Sequence, residues 1–393
     1  MDYCTAKKEI WEDIIYKQIS IFIFWSRNNS NKLKVLKWFY ESELNLMKIL
    51  HLLKSNSYSG AENIAIIICA NMQRDICAYA SPMGSIQEKL KEQNIEYYPM
   101  KEFGVMELKR VVKEFDPDVI HAHDFSASVL AAIVGNQKIA IVSHLHNNVP
   151  WIKKWNIRSL TYRAALKRID SVILVSDCIK REAVFSSQMA KKYTVLGNPL
   201  DKSAIRKNAE KFECNKYDVL FVGRLTAAKN PIRFINIINK LINKVPDLKV
   251  CMVGTGDLFD ACKDRIIQLK LEKNIIMKGF CGNPYPFIKM AKLMLVTSDW
   301  EGFGLVAREA LTLATPLLLM DVGGMHELSL NYPEIKCDTE DEFVWKAEKI
   351  LNGDTQWKRL YENIFNEQET KDNLQEYLRT MEQIYQKAEV KAK

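Results

Sequence analysis

The sequence predicts an α/β protein made of two doubly wound Rossmann-like domains that face a central cleft. Three observations predict it. Short apolar runs of strand length alternate with helical stretches along most of the 393 residues. A strand, a glycine loop and a helix open that alternation at Met47, and the alternation restarts after Asn198-Pro199. The length itself exceeds one ordinary core and suits two domains of roughly 150–200 residues each.

The elements follow in order. Met47–Leu53 reads as a buried strand, Lys54–Gly60 as a loop and Ala61 to Met72 as an apolar helix. Strand-like runs follow at Ile76–Ala80, Asp118–His121, Ile139–His144 and Ser171–Ser176, with helical stretches such as Ser85–Gln93 and Val105–Phe115 between them. Asn, Pro, Lys and Asp accumulate over 195–215, which marks a boundary between domains 47–200 and 201–393. The second domain reads as strands Asp218–Val222, Lys249–Val253, Asn274–Lys278, Leu293–Thr297 and Pro316–Met320, with helices Pro231–Lys244 and Leu305–Leu313. Its tail from Glu340 is helical, and the terminal helices can return to the first domain. Residues 1–46 differ in character and read as an extension outside the fold: either a stretch before the true start at Met47 or an amphipathic appendage.

Composition excludes several classes. Nine scattered cysteines form no C-x-x-C pair, so they read as reduced thiols of a cytoplasmic protein rather than as a disulfide scaffold. No run approaches the ~18 apolar residues of a membrane span. Ile19–Trp25 is short and follows acidic residues, unlike a secretory signal. The net charge is +8 and uneven: residues 47–200 carry 20 bases against 14 acids, whereas 201–393 carry 29 against 28. The first domain is therefore the half that attracts an anionic partner.

The densest chemical signal is Thr297-Ser-Asp-Trp-Glu-Gly-Phe-Gly-Leu-Val-Ala-Arg-Glu309. A buried strand ends at Thr297. Gly302 and Gly304 let the backbone turn and approach a ligand. The amides of Phe303, Gly304 and Leu305 then stand at a positive helix end, which suits a diphosphate. Carboxylates repel phosphate, so Glu301 and Glu309 are placed to accept hydrogen bonds from sugar and ribose hydroxyls respectively.

Here the chain resembles the retaining glycosyltransferases of family 4, which have the two-domain GT-B fold. Glu301-Gly-Phe-Gly-Leu305 with Glu309-Ala310 matches their mark of two glutamates separated by seven residues. The match continues in Pro316, Asp321-Val-Gly-Gly324 and Glu327, and the resemblance covers about residues 47–385. One departure stands out: glycine is usual two residues before that proline, and this chain has Ala314.

Other motifs gain meaning beside this one. Val222-Gly-Arg-Leu-Thr-Ala-Ala-Lys-Asn230 follows a strand, so Arg224 and Lys229 converge after Gly223 and suit a leaving diphosphate. The resemblance implies that they stabilise its charge as the sugar–phosphate bond breaks. Gly254-Thr-Gly256 lacks the third glycine of a dinucleotide fingerprint, and the resemblance puts it near the nucleotide. It also puts Lys278 near the base. In the first domain, Ser57-Tyr-Ser-Gly60-Ala-Glu62 matches the family loop that passes close to donor and acceptor. In His121-Ala-His123-Asp124, His123 matches the active-site histidine that donates to the sugar or its phosphate. His121 is expected to point the opposite way and to be structural.

Two further segments need weighing. Asp116-Pro-Asp118 has the spacing of a metal-binding pair but precedes a strand, so it reads as a turn. No His/Cys/Asp run has metal-ligand spacing, and the cationic pair would do a metal's work. Trp151–Arg168 holds six bases and no acid, interleaved with Trp151, Trp155 and Tyr162. It suits an anionic membrane surface, or else a helix with a solvated basic face. No nucleic-acid motif accompanies it.

The expected protein is thus a retaining transferase without cofactor or metal. It would move sugar from a UDP- or GDP-sugar to a glycan or polyprenyl-linked acceptor, in cell-surface polysaccharide assembly such as capsule or lipopolysaccharide. Its place would be the cytoplasm or the inner face of the membrane. The rivals are a non-catalytic nucleotide-sugar-binding subunit, a sugar-nucleotide epimerase of the same fold, and a phosphorylase, for which nothing in the chain demands pyridoxal phosphate.

Overall fold

The computed structural model describes residues 46–392 except 58–59, 73 and 370–373. The expected extension lies, but for Leu46, outside the described residues, as do Tyr58 and Ser59 of the first loop.

Two parallel sheets form the scaffold. The first holds β1 (Lys48–Leu52), β2 (Ile76–Pro82), β3 (Glu96–Met100), β4 (Val119–His123), β5 (Ala140–Leu145), β6 (Ser171–Leu174) and β7 (Tyr193–Val195), in spatial order β3-β2-β1-β4-β5-β6-β7. The second holds β8 (Tyr217–Val222), β9 (Val250–Val253), β10 (Ile275–Gly279), β11 (Ala291–Val296), β12 (Leu317–Met320) and β13 (Lys336–Cys337), in order β10-β9-β8-β11-β12-β13. Each order reverses once, between β1 and β4 and between β8 and β11. A doubly wound sheet opens its ligand crevice at such a switch point, outside the carboxyl ends of the strands.

Local chemistry explains the starts of these strands. Aspartates at the strand entrances accept the first amide of a neighbour: Asp75 from Met47, Asp118 from Lys48, Asp170 from Ile141 and Asp218 from Lys249. Asp118 is thus a structural acceptor at the end remote from the cleft, and Asp116 caps helix Val105–Phe115 in a left-handed turn. The inner strands β4, β5, β6 and β9 are buried on both faces, as helix-covered parallel strands must be.

Each sheet therefore has two cores. In the first domain, helices Val105–Phe115, Asp124–Val134 and Ile157–Ala165 cover one face. Helix Gly60–Asn71 covers the other together with the last helix, Leu374–Ala392, whose Tyr377, Met381, Ile384, Tyr385 and Ala388 pack on Ile49, Val119, Val142 and Ile173. The chain's end is thus built into its first domain. In the second domain, helices Pro231–Ile242, Phe259–Gln268 and Glu340–Leu351 cover one face. Helices Tyr285–Met290, Leu305–Thr312 and Thr355–Glu369 cover the other. Among the described residues no helix is long and apolar enough to cross a membrane.

Candidate active site

The loop after β11 carries the densest motif, and the structure builds it into a contact point between the domains. Gly304 adopts φ +77°, caps helix Leu305–Thr312 and leaves its first turn without a side-chain cap. A side chain at Gly302 would put its Cβ 1.5 Å from the carbonyl oxygen of His146, so only glycine lets this loop meet the end of β5. Phe303 reaches into the first domain's core beside Gly197, with the Arg308 guanidinium stacked on its ring at 4.0 Å. Leu305 lies against Gly60. The second domain's Glu301–Leu305 loop is therefore in contact with β1's glycine turn and β5's end.

Glu301 is 7% exposed. Its carboxylate accepts hydrogen bonds from Lys229 Nζ and, at 2.9 Å, from Ser298 Oγ. Lys229 comes from the loop after β8, which Thr297 ties to β11 by donating to the carbonyls of Lys229 and Asn230. Arg233 reinforces the join with an ion pair to Asp299 at 2.7 Å and a hydrogen bond to the Thr297 carbonyl. The structure thus pairs directly two residues whose sequence roles were separate. Glu309 accepts a hydrogen bond from Tyr285 Oη at 3.2 Å. Burial pushes its carboxyl up to about 7, against the opposing pull of Tyr285 and Lys229.

Arg224 stands exposed on the same loop as Lys229, and its charge is felt by Asp124 across the cleft. Gly223 sits against the Lys229 stem. Gly254 and Gly256 pack on the backbone of Gly223 and Leu225, so the β9 loop buttresses the β8 loop. Lys278 is exposed on the edge strand β10, beside Cys214 and Cys251.

The histidines correct the sequence reading. His121 and His123 project to the same side of β4 and stack with centroids 4.2 Å apart, because alternate residues of a strand share a face. His123 is 3% exposed, and both its ring nitrogens are engaged: Nε2 with His51 Nδ1 at 3.0 Å, Nδ1 with His146 Nε2 at 2.9 Å. Neither nitrogen points freely into the cleft. Burial holds His121, His123 and His144 well below the usual histidine range and His146 at about 3, so these four rings are neutral.

Asp124 is the site residue that sequence reasoning passed over. It follows His123 at φ +68°, and its carboxylate accepts the His146 amide at 2.8 Å and Asn147 Nδ2 at 3.4 Å. Burial is the main cause that pushes its carboxyl up to about 6, with those hydrogen bonds and Arg224 pulling it down. It fixes the β5 loop that receives Gly302. Ser298 and Tyr285, which orient the two glutamates, were also missed. Ser298 lay within the motif; Tyr285 is distant in sequence and carried no signal.

A family model for glycosyl transferases group 1 matches residues 202–367, and one for Glycosyltransferase Family 4 matches 92–204. Between them the two matches, one in each domain, make this chain similar to the family 4 type of glycosyltransferase. Relatives include the O-antigen biosynthesis glycosyltransferase WbnH of Escherichia coli, 36% identical over 35% of this chain and 38% of that protein. Another is the N-acetylgalactosamine-N,N'-diacetylbacillosaminyl-diphospho-undecaprenol 4-alpha-N-acetylgalactosaminyltransferase of Campylobacter jejuni, 31% identical over 44% of this chain and 48% of that protein. Each match spans less than half the relative's length. The fold is shared with solved structures: Anabaena HepE in complex with UDP and glucose superposes with a TM-score of 0.74 at 20% identity, covering 86% of this chain and 98% of that one. The two-Rossmann GT-B fold is therefore that of this chain.

Proposed function

We propose that this protein is a retaining glycosyltransferase that moves a sugar from a nucleoside-diphosphate donor to a glycan or lipid-linked acceptor. The observation that carries the reading is the loop Glu301–Leu305, which joins a buried carboxylate, a cation and an uncapped helix start at one point of the cleft. In this reading the diphosphate lies against the amides of Phe303, Gly304 and Leu305. It draws Lys229 from Glu301, with Arg224 beside it, and leaves Glu301 to accept sugar hydroxyls. Glu309 takes the ribose. Gly60, Gly223, Gly254 and Gly256 let the backbones come close, and Lys278 lies toward the base. His123 stiffens the β4 end beneath the sugar. No metal is required, because the cations and amides offset the leaving charge. Retention of configuration rests on the family resemblance alone.

The acceptor half of the reading has its own support. HepE was crystallised with UDP and glucose, and the Campylobacter relative is named for a diphospho-undecaprenol acceptor. A pocket between the domains, lined by Cys178, Arg181, Glu182, Asp321, Gly323 and His326, adjoins the Glu301 loop through Gly323, and in this reading it receives the acceptor. On the first domain, Trp155, Ile157 and Leu160 are 51%, 80% and 50% exposed amid Lys153, Lys154, Arg158, Arg163 and Lys167. An apolar wedge ringed by bases suits an anionic bilayer, and it supports the reading of an enzyme that works at the cytoplasmic face of a membrane during polysaccharide assembly.

The test is a thermal-shift screen against UDP- and GDP-sugars, followed by transfer to lipid extracts. One donor class should raise the melting temperature. Lys229→Ala should lower turnover roughly 100- to 1,000-fold, the usual scale for one transition-state charge donor. If no nucleotide sugar stabilises the protein, the reading fails. Stabilisation without turnover on any acceptor would favour a non-catalytic nucleotide-sugar-binding subunit.

A further inference from the structure

Five of the chain's six histidines meet in one buried cluster: His51 on β1, His121 and His123 on β4, and His144 and His146 at β5 and just beyond its end. They form two rows. In one, His51 joins His123 and His123 joins His146. In the other, Tyr385 Oη meets His121 Nδ1 at 2.7 Å, and His121 Nε2 meets His144 Nδ1 at 3.2 Å. The joined rings lie 5.1–5.3 Å apart between centroids with nitrogens 2.9–3.2 Å apart. That is the spacing of imidazoles meeting tip to tip, one N–H aimed at the next lone pair. Within a row the nitrogens serve each other and do not converge on a shared ion.

The open question is the end of the row. A neutral imidazole has one N–H, so a row of three with two internal hydrogen bonds always leaves an outer N–H and an outer lone pair. Both outer atoms, His51 Nε2 and His146 Nδ1, are buried, and neither has a hydrogen-bond partner. An unmet buried group of this kind costs about 1–3 kcal/mol. Beside His51 lie Cys69, from helix Gly60–Asn71, and Cys77, from β2. One imidazole nitrogen and the two sulfurs lie within 4.8 Å of one another. Since His51 Nδ1 is already bound to His123, Nε2 is the nitrogen left for an ion.

We propose that His51 Nε2, Cys69 Sγ and Cys77 Sγ form a binding site for a thiophilic divalent ion, of which zinc is the type. Two thiolates at about 2.3 Å and an imidazole at about 2.0 Å are a standard zinc set, with a fourth position open to water. Thiolates so bound lie about 3.8 Å apart, so closing the site calls for shifts on the order of 1 Å. Binding displaces two thiol protons to solvent, and the dication with two thiolates is neutral overall, which suits a sheet-to-helix interior. Both cysteines are half-buried, which leaves the ion a route in. A metal on Nε2 fixes the N–H of His51 on Nδ1, where it donates to His123. His123 must then donate to His146, and the row acquires one direction, ending in a His146 N–H at the loop that receives Gly302. The ion is structural and lies apart from the donor site.

The experiment uses the full chain, reduced and stripped with chelator, titrated with Co²⁺ as the probe. We expect one equivalent bound, with intense thiolate-to-cobalt absorption and tetrahedral d–d bands, both removed by Zn²⁺. Cys69→Ser with Cys77→Ser should abolish the charge-transfer band in protein whose far-UV dichroism is unchanged. His123→Gln, which removes the partner of His51 Nδ1, should weaken binding by roughly 10- to 100-fold, the scale for losing such support. Absence of the band in folded wild-type protein would overturn the proposal, as would equal cobalt binding by the double serine variant. If that variant fails to fold, the wild-type spectrum and Cys69→Ser alone still decide.

Discussion

Glu309 shows how a single side chain ties the electrostatics of the fold to the proposed chemistry. Its carboxyl titrates near 7 because burial outweighs Tyr285 and Lys229. The unfolded value is about 4.3, so between the two the native state binds the extra proton. Stability contributed by this group therefore falls as pH rises from about 4 to about 7. Ribose binding has the opposite slope, since the ionised carboxylate is the stronger acceptor. Donor affinity should rise as pH is taken from 6 to 8. Glu309→Gln should flatten that profile and weaken binding by roughly 10- to 100-fold, the scale of a hydrogen bond to a charged group. Donor titrations at several pH values check it, and an unchanged slope in the variant would remove Glu309 from the ribose site. At this scale the sequence was partly legible. Glu301, Lys229 and the glycines could be read because they sit in contiguous motifs after strands. The histidine cluster could not, since its members come from three strands and are brought together only by parallel register, His51 beside His121 and His123 beside His144.

Two elements carry separable predictions. After helix Leu305–Thr312 the chain turns through Ala314 at φ +54°, while Thr315 donates to the Ala310 carbonyl. A left-handed turn suits glycine, and an L side chain there costs roughly 1 kcal/mol. Ala314→Gly should therefore stabilise the protein by up to about that amount, less the extra backbone entropy of glycine. A calorimetric melt that does not rise would show that the turn is relaxed. The departure noticed in the sequence thus has a location and a sign. The second element is Ile157–Ala165. It buries Ser159, Tyr162 and Ala165 and leaves its apolar Ile157 and Leu160 in solvent. Ile157→Ser with Leu160→Ser should reduce co-sedimentation with anionic vesicles while leaving the melt within error. Binding that is equally strong to neutral vesicles would count against the basic ring. Long alternating elements such as β1, β4, β5 and helix Val105–Phe115 were legible. β3 was not: Glu96-Tyr-Tyr-Pro-Met100 is a half-buried edge with a proline. Nor was β13, with two residues.

At the scale of the molecule, the two domains are joined through the returning last helix and through the Glu301–Leu305 loop. The last helix belongs to the first domain's core and crosses back through Tyr385 and its neighbours. The cleft itself is bridged by Phe303, a residue of the donor loop buried in the core of the opposite domain. Sequence reading valued Phe303 for its amide; its ring has a second use that no local pattern announces, because the receiving core lies more than a hundred residues earlier. In the proposed reading the donor enters between Gly60 and Leu305, which lie against each other, and binding would loosen and reform this bridge. Phe303→Ala should remove the bridge while leaving the Phe303 amide in place. Truncating a buried Phe costs about 3–5 kcal/mol where the site is rigid, and less here because the domains can part. We expect a larger radius of gyration by small-angle scattering without donor, contraction toward the wild-type value when UDP-sugar is added, and a raised KM with a smaller change in kcat. If the scattering profiles of the two proteins coincide without donor, Phe303 is not what holds the domains together, and the closed cleft must rest on Gly302 against His146 and Asp124's hold on that loop.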